Sequence, residues 1–419
     1  MILEDGAGPS PQVETLVQSS EATASYSASE GVATCPFAKE KKESGPKPPL
    51  KAVLWHIREL GGGFQSPEKR PDFCIAAYAA LIRASHADVV ILVGLGRSVG
   101  LKPVKDRGLI RVEKTSSDSG LAEARRLIGA LGADWRMASA NDHDDKPVYH
   151  KHGTACFLYN TNRGISCGKV TLAKCGSAFL AIAPMQIPSA FDAPSTLSLL
   201  APLSVGRRAS SDEETPDPEV NGELPASALI GFSALDGLKG NTDYASLRSQ
   251  CEVDYAPPLN EGTLLKQPFW EQIAADSERL LENHMAVNPA DVILQNKAMY
   301  WEALRPEEHP KALDRVSGRL ADALLVRKTG GATLRLDKVR VFDLVRASLD
   351  SQALGEVGQS STLPEDSVLV SQRKAYAATL PKAKQATKGT ASEIQIAEAV
   401  LFARKLSDHW PILADVHLI

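Results

Sequence analysis

Apolar and polar positions fall in short blocks along this chain, and the blocks predict alternating strands and helices. Lys51-Ala-Val-Leu-Trp-His-Ile57 is a nearly continuous apolar run and reads as a buried strand. Asp72 to Ser85 carries apolar residues at helical spacing (Phe73, Ala76, Ala77, Ala80, Leu81) and reads as a helix. Ala87-Asp-Val-Val-Ile-Leu-Val93 is a second buried strand. Strand, helix and strand within about 45 residues argue for a layered α/β core. Ser119 to Leu131 reads as a further helix. Thr154-Ala-Cys-Phe-Leu-Tyr159 and Ala178-Phe-Leu-Ala-Ile-Ala183 read as strands paired with each other. Leu197-Ser-Leu-Leu-Ala201 and Ala228-Leu-Ile-Gly-Phe232 are also strand-like. Gln272 to Glu282 and Ile394 to Lys405 read as helices, and Arg319 to Val326, Lys338 to Asp343 and the last apolar run as strands.

Polar blocks interrupt the pattern. Residues 1–48 are rich in Ser, Ala, Gly, Glu and Pro without a sustained period, so they are expected to form a disordered leader. Residues 49–419 are expected to form a single domain. Polar insertions are expected in it near 206–225, packed with Asp, Glu, Pro and Ser, and near 351–390, which contains the basic stretch Arg373 to Lys388. No repeat of fixed period stands out. The burial expected of one continuous core covers Leu54, Ile57, Val90, Leu92, Leu158, Leu199, Ile230, Leu325 and Leu413.

Composition narrows the function classes. The 419 residues are 43% hydrophobic and 23% charged, with a net charge of -4. A global basic field for nucleic acid is therefore missing, and nucleic acid is not favoured as a partner. No apolar run approaches the roughly 18 residues that a membrane helix needs. Met1-Ile2-Leu3-Glu4-Asp5 is acidic and has no apolar core, so no secretory signal is expected. Cys35, Cys74, Cys156, Cys167, Cys175 and Cys251 contain no Cys-x-x-Cys pair, and reduced thiols in the cytoplasm are the simplest reading. His143, Asp144, Asp145, His150 and His152 crowd one stretch, where a solvated loop is favoured over a metal site. Lys374, Lys382, Lys384 and Lys388 read as a soluble basic loop.

The end of the chain carries the sharpest signal. Ser407-Asp408-His409-Trp410-Pro411 leads into the alternating run Ile412-Leu-Ala-Asp-Val-His-Leu418. This resembles the closing motif of the endonuclease/exonuclease/phosphatase superfamily, the deoxyribonuclease I-like fold. The resemblance implies a four-layer α/β sandwich, two facing mixed β-sheets flanked by helices. It implies that Asp408 and His409 stand beside the phosphate under attack. Arg319-Leu-Ala-Asp322-Ala-Leu-Leu-Val326 resembles the strand whose buried Asp orients the final His, which fixes the imidazole tautomer. A hydrogen bond of about 3 Å between Asp322 and His409 is the expected geometry.

Other positions depart from the family pattern. Trp55-His56-Ile57 resembles Trp-Asn-Ile, with His56 in place of the Asn that orients metal or phosphate, and Arg58 follows where some relatives bear an acid. Val90-Ile91-Leu92-Val93-Gly94-Leu95 resembles Val-Ile-Leu-Gln-Glu-Leu, with Gly94 in place of the metal-ligating Glu. Ala201-Pro202-Leu203 matches Thr-His-Leu, with Pro202 replacing a phosphate-contacting His. Ile230-Gly231-Phe232-Ser233 resembles Gly-Asp-Phe-Asn, with Gly231 and Ser233 replacing the residues around the nucleophilic water.

Electrostatic stabilisation is usually the largest catalytic contribution, with single donors worth about 3 kcal/mol. Losing several such groups together leaves little hydrolysis, even where the losses are not additive. The leading expectation is a catalytically inactive pseudoenzyme, a binding or scaffold module with another protein as partner and no cofactor. Asp322, Asp408 and His409 are then residual positions with structural roles. A divergent phosphodiesterase or nuclease using Mg²⁺ or Mn²⁺, its site rebuilt from His56, Asp322, Asp408 and His409, is the alternative. A non-cleaving nucleic-acid binder is the second alternative.

Overall fold

A computed structural model of the chain describes residues 45–60, 70–95, 98–106, 109–117, 119–139, 154–175, 178–203, 224–233, 241–250, 264–265, 317–319, 322–328, 334–353, 368–379, 390–407 and 409–418. The chain divides into two units, Met1–Gly45 and Pro46–Ile419. Of the first, only Gly45 is described. The expected leader up to residue 44, most of the 206–225 insertion, the Gln272–Glu282 helix and the His143–His152 stretch lie outside the described residues.

The strands of the second unit, in chain order, begin with β1 (Leu50–Leu60), β2 (Val89–Leu95), β3 (Ser98–Asp106), β4 (Leu109–Ser117), β5 (Trp135–Ser139), β6 (Thr154–Asn160), β7 (Ser166–Cys167) and β8 (Thr171–Cys175). They continue with β9 (Ala178–Gln186), β10 (Thr196–Leu203), β11 (Ser227–Ser233), β12 (Leu264–Leu265), β13 (Ser317–Arg319), β14 (Asp322–Lys328), β15 (Leu334–Val341) and β16 (Ile412–Leu418). The helices are α1 (Asp72–Ala84), α2 (Ser119–Leu131), α3 (Thr242–Gln250), α4 (Val370–Thr379) and α5 (Ala391–Leu406).

Two mixed sheets carry the fold. The first runs β15-β16-β1-β2-β6-β5, and the second runs β14-β11-β10-β9-β7 with β8 also on β9. Parallel pairing occurs at β1 with β2 and at β10 with β11, while the remaining neighbours within these sheets are antiparallel. Side chains on a strand alternate between its faces, so each sheet contributes to two apolar layers. Val53, Trp55 and Ile57 of β1 pack with Tyr78 and Leu81 of α1, Leu127 of α2 and Phe402 of α5. Leu54 of β1 and Ile91 of β2 pack instead against Leu199, Leu229 and Leu324 of the second sheet. The outer face of that sheet, with Ile230 and Leu325, packs on Tyr244 and Leu247 of α3. Helix, sheet, sheet and helix are thus the four layers, as the fold class expected. All nine residues expected in the interior are buried.

Two sequence expectations need correction. The runs around Phe157 and Leu180 do not pair with each other. β6 lies between β2 and β5, whereas β9 lies in the second sheet beside β10. Both are apolar because both are interior strands, and that pattern does not reveal a partner. The 351–390 segment expected as a polar insertion contains the helix α4. Its Arg373 is buried and its guanidinium donates to the Glu398 carboxylate of α5 at 2.8 Å, so a charge that reads as solvated is an interior ion pair.

Candidate functional site

Alternation on three strands brings polar residues to one place. Along β1, Ala52 and Leu54 face the second sheet, and His56 continues that row. Along β11 the row is Leu229, Gly231 and Ser233. Along β14, read backwards, it is Val326, Leu324 and Asp322. Ser233 lies directly opposite Asp322 in the β11–β14 ladder. The inter-sheet core therefore ends in a polar cap of His56, Ser233 and Asp322. His409 joins it from the turn between α5 and β16.

That turn is held by its own sequence. The Ser407 hydroxyl donates to the His56 carbonyl at 2.8 Å and accepts the His409 backbone N–H at 3.0 Å. The Trp55 indole N–H donates to the His409 carbonyl at 3.0 Å. Trp55 meets the Tyr78 ring edge-on, with centroids 5.0 Å apart, and the Tyr78 hydroxyl donates to the Leu406 carbonyl. His409 is fully buried as a result.

The side chains form a chain of polar contacts. His409 Nδ1 lies 2.9 Å from Asp322 Oδ2, which is the expected hydrogen bond. His56 Nδ1 lies 2.6 Å from Ser233 Oγ, in a bond whose direction follows the imidazole tautomer. The two imidazoles face each other with centroids 4.0 Å apart, tilted by 40°. Burial raises the pKa of the Asp322 carboxyl more than any other single influence. The charges of His409 and His56 and the hydrogen bonds from His409 and Ser233 act against it, and together they hold the group below its ordinary value. Asp322 is accordingly an ionised acceptor.

The positions expected to have lost their family residues are occupied differently. Gly94 adopts φ +75°, which side chains rarely take, at a break in the β1–β2 and β2–β6 registers. A Cβ built there would stand 2.0 Å from His56 Cδ2 and 2.1 Å from Nε2. The imidazole thus fills the space in which a side chain at position 94 would begin. A Cβ on Gly231 would stand 2.7 Å from Leu54 Cδ1 and 2.9 Å from Ile91 Cγ2, inside the apolar core. Pro202 is a half-buried residue of β10, opposite Leu180. Asp408 lies outside the described residues. Sequence reasoning named every member of the cluster but treated Ser233 only as a loss. The β11–β14 pairing, which gives it Asp322 as neighbour, is not readable from either strand alone.

The donor set decides which metal suits the site. Mg²⁺ demands octahedral oxygen coordination and is usually held through carboxylates. Among the described residues, the cluster offers one carboxylate, one hydroxyl and two imidazoles. Position 94 offers no side chain, and its space is taken. These residues do not fit Mg²⁺.

No family model matches the chain, and no curated protein matches it. Solved structures do resemble it. An endonuclease/exonuclease/phosphatase from Bacteroides vulgatus is 9% identical, with a TM-score of 0.41, over 88% of this chain and 99% of that one. The mannosyl-6-phosphatase of Bacteroides thetaiotaomicron is 8% identical, with a TM-score of 0.38, over 88% and 99%. D. rerio TDP2 complexed with single strand DNA product is 10% identical, with a TM-score of 0.35, over 88% and 98%. Among the described residues no helix is long and apolar enough to cross a membrane.

Proposed function

We propose that the chain is a non-catalytic binding or scaffold module on a nuclease/phosphatase-like fold, with another protein as its partner. The observation that carries this reading is the His56 ring against Gly94. By resemblance, position 94 is where a glutamate holds the metal. Here that place has no carboxylate and is filled by an imidazole. Gly231, where the resemblance expects an aspartate, supports the same reading, because its Cβ direction points into Leu54 and Ile91. A charged group there would be desolvated among alkyl side chains at large cost. The surviving Asp322–His409 pair then acts as a buried structural contact.

The alternative, a divergent divalent-metal-dependent phosphodiesterase, rests on the convergence of His56, Asp322 and His409. One assay separates the two. Purified wild type, Asp322→Ala and His409→Ala are incubated with plasmid and with single-stranded DNA in Mg²⁺ or Mn²⁺. The expected result is equal inactivity in all three. Wild-type turnover that both substitutions remove would overturn the proposal.

A further inference from the structure

We infer that His56, Asp322 and His409 form a binding site for one divalent transition ion of the zinc class, distinct in ligands and in metal from the Mg²⁺ site that the resemblance implies. This goes beyond the proposed function and does not depend on it, because a buried ion can be structural without performing hydrolysis.

Three observations carry the inference. First, one ligand atom from each residue can be chosen so that all three atoms lie within 4.8 Å of one another. Ligand atoms that share a tetrahedral zinc ion stand about 3.3 Å apart, given metal–ligand distances of about 2.0–2.2 Å. That spacing falls between the 2.9 Å of the Asp322–His409 pair and the 4.8 Å that bounds the set. Second, the chemistry is selective. Two imidazoles and one carboxylate suit zinc, cobalt or nickel and disfavour magnesium. Third, the surroundings are built for a bound group. His409 and Asp322 are buried, and both are positioned by strand or turn contacts. His56, at 8% exposure, is buried with them, and Ser233 beside it is half-buried. With three protein ligands, a tetrahedral ion would keep its fourth position for water.

Gly94 takes part indirectly, because the space it leaves lets the His56 ring lie next to His409.

The test uses the full chain, stripped of metal and titrated with Zn²⁺, Mg²⁺ and Co²⁺ as a coloured probe. One Co²⁺ per chain should bind with visible absorption typical of low coordination, and excess Zn²⁺ should displace it. A hundredfold excess of Zn²⁺ over its dissociation constant should raise the melting temperature by about 3 °C. Mg²⁺ should do neither. His56→Asn should weaken Co²⁺ binding by at least about tenfold. His417→Ala, which removes the separate, partly buried His417–Asp192 pair, should leave binding unchanged. Because His409 is fully buried, its replacement risks unfolding. The variant at His56 and the wild-type spectrum are therefore decisive. Absence of Co²⁺ absorption in the wild type, or retention of full affinity in His56→Asn, would overturn the inference. DNA cleavage by the zinc-loaded protein would sink the non-catalytic reading and leave the metal site standing.

Discussion

Asp322 is the residue on which the cluster turns. Its carboxylate accepts from His409 Nδ1 in a site closed to solvent, so truncation strands an imidazole donor in the interior. Asp322→Ala should destabilise the fold by about 1–3 kcal/mol, the range for a buried polar group left without its partner. Urea denaturation at neutral pH measures this. The same pair sets a pH dependence. Burial works to raise the Asp322 pKa, but His409, His56 and Ser233 lower it overall. A carboxyl depressed in the folded state stabilises it above the unfolded pKa, about 3.9 for Asp. That contribution is lost as pH falls from there through the folded value. The acid limb of the stability profile should therefore be shallower in Asp322→Asn than in wild type. Gly94 and His56 should also be energetically coupled, since one side chain occupies the other's space. Gly94→Glu alone must adopt positive φ, at a cost of about 1–2 kcal/mol, and must also expel the imidazole. In the His56→Ala background the second cost falls away. A double-mutant cycle should give a coupling of about 0.5–3 kcal/mol, and additivity would show that the two positions do not share space.

Elements explain why some of this was legible in the sequence and some was not. β1 and β2 announce themselves as apolar runs, and their lengths match interior strands. The Ser407–Pro411 turn was legible because it is local: Ser407 reaches His409 within two residues. Its long-range contacts, from Trp55 to His409 and from Ser407 to the His56 carbonyl, link positions more than 350 residues apart and leave no local trace. The β3–β4 hairpin escaped notice because its strands mix charged, small and apolar residues without a clean period. In sequence, helix α4 resembles a polar loop because its buried member is an arginine. There Arg373 is 2% exposed and meets Glu398 of α5. Glu398→Ala should cost about 1–3 kcal/mol, because it removes the half-buried carboxylate bonded to a buried guanidinium and leaves Asp350 as the nearby countercharge. Arg373→Met combined with Glu398→Leu should recover most of that stability, since it removes both charges and keeps the packing. Chemical denaturation of the single and double variants checks both statements.

At the scale of the whole molecule, three apolar layers between helices and sheets hold the frame, and none of them needs the polar cap. This separation lets a fold persist while its site changes. The fold class was legible because layer-forming runs recur along the chain. The site was legible in its residue types but not in its packing. Gly94 reads in sequence as a lost ligand, whereas in three dimensions it is the space that His56 fills. The central claim of the proposal is that this cluster does not hold Mg²⁺. Calorimetric titration of Mg²⁺ into the metal-free full chain tests it most directly. The account predicts no saturable heat at the cluster and the same trace for Asp322→Ala. Micromolar Mg²⁺ binding in the wild type that disappears in Asp322→Ala would contradict it.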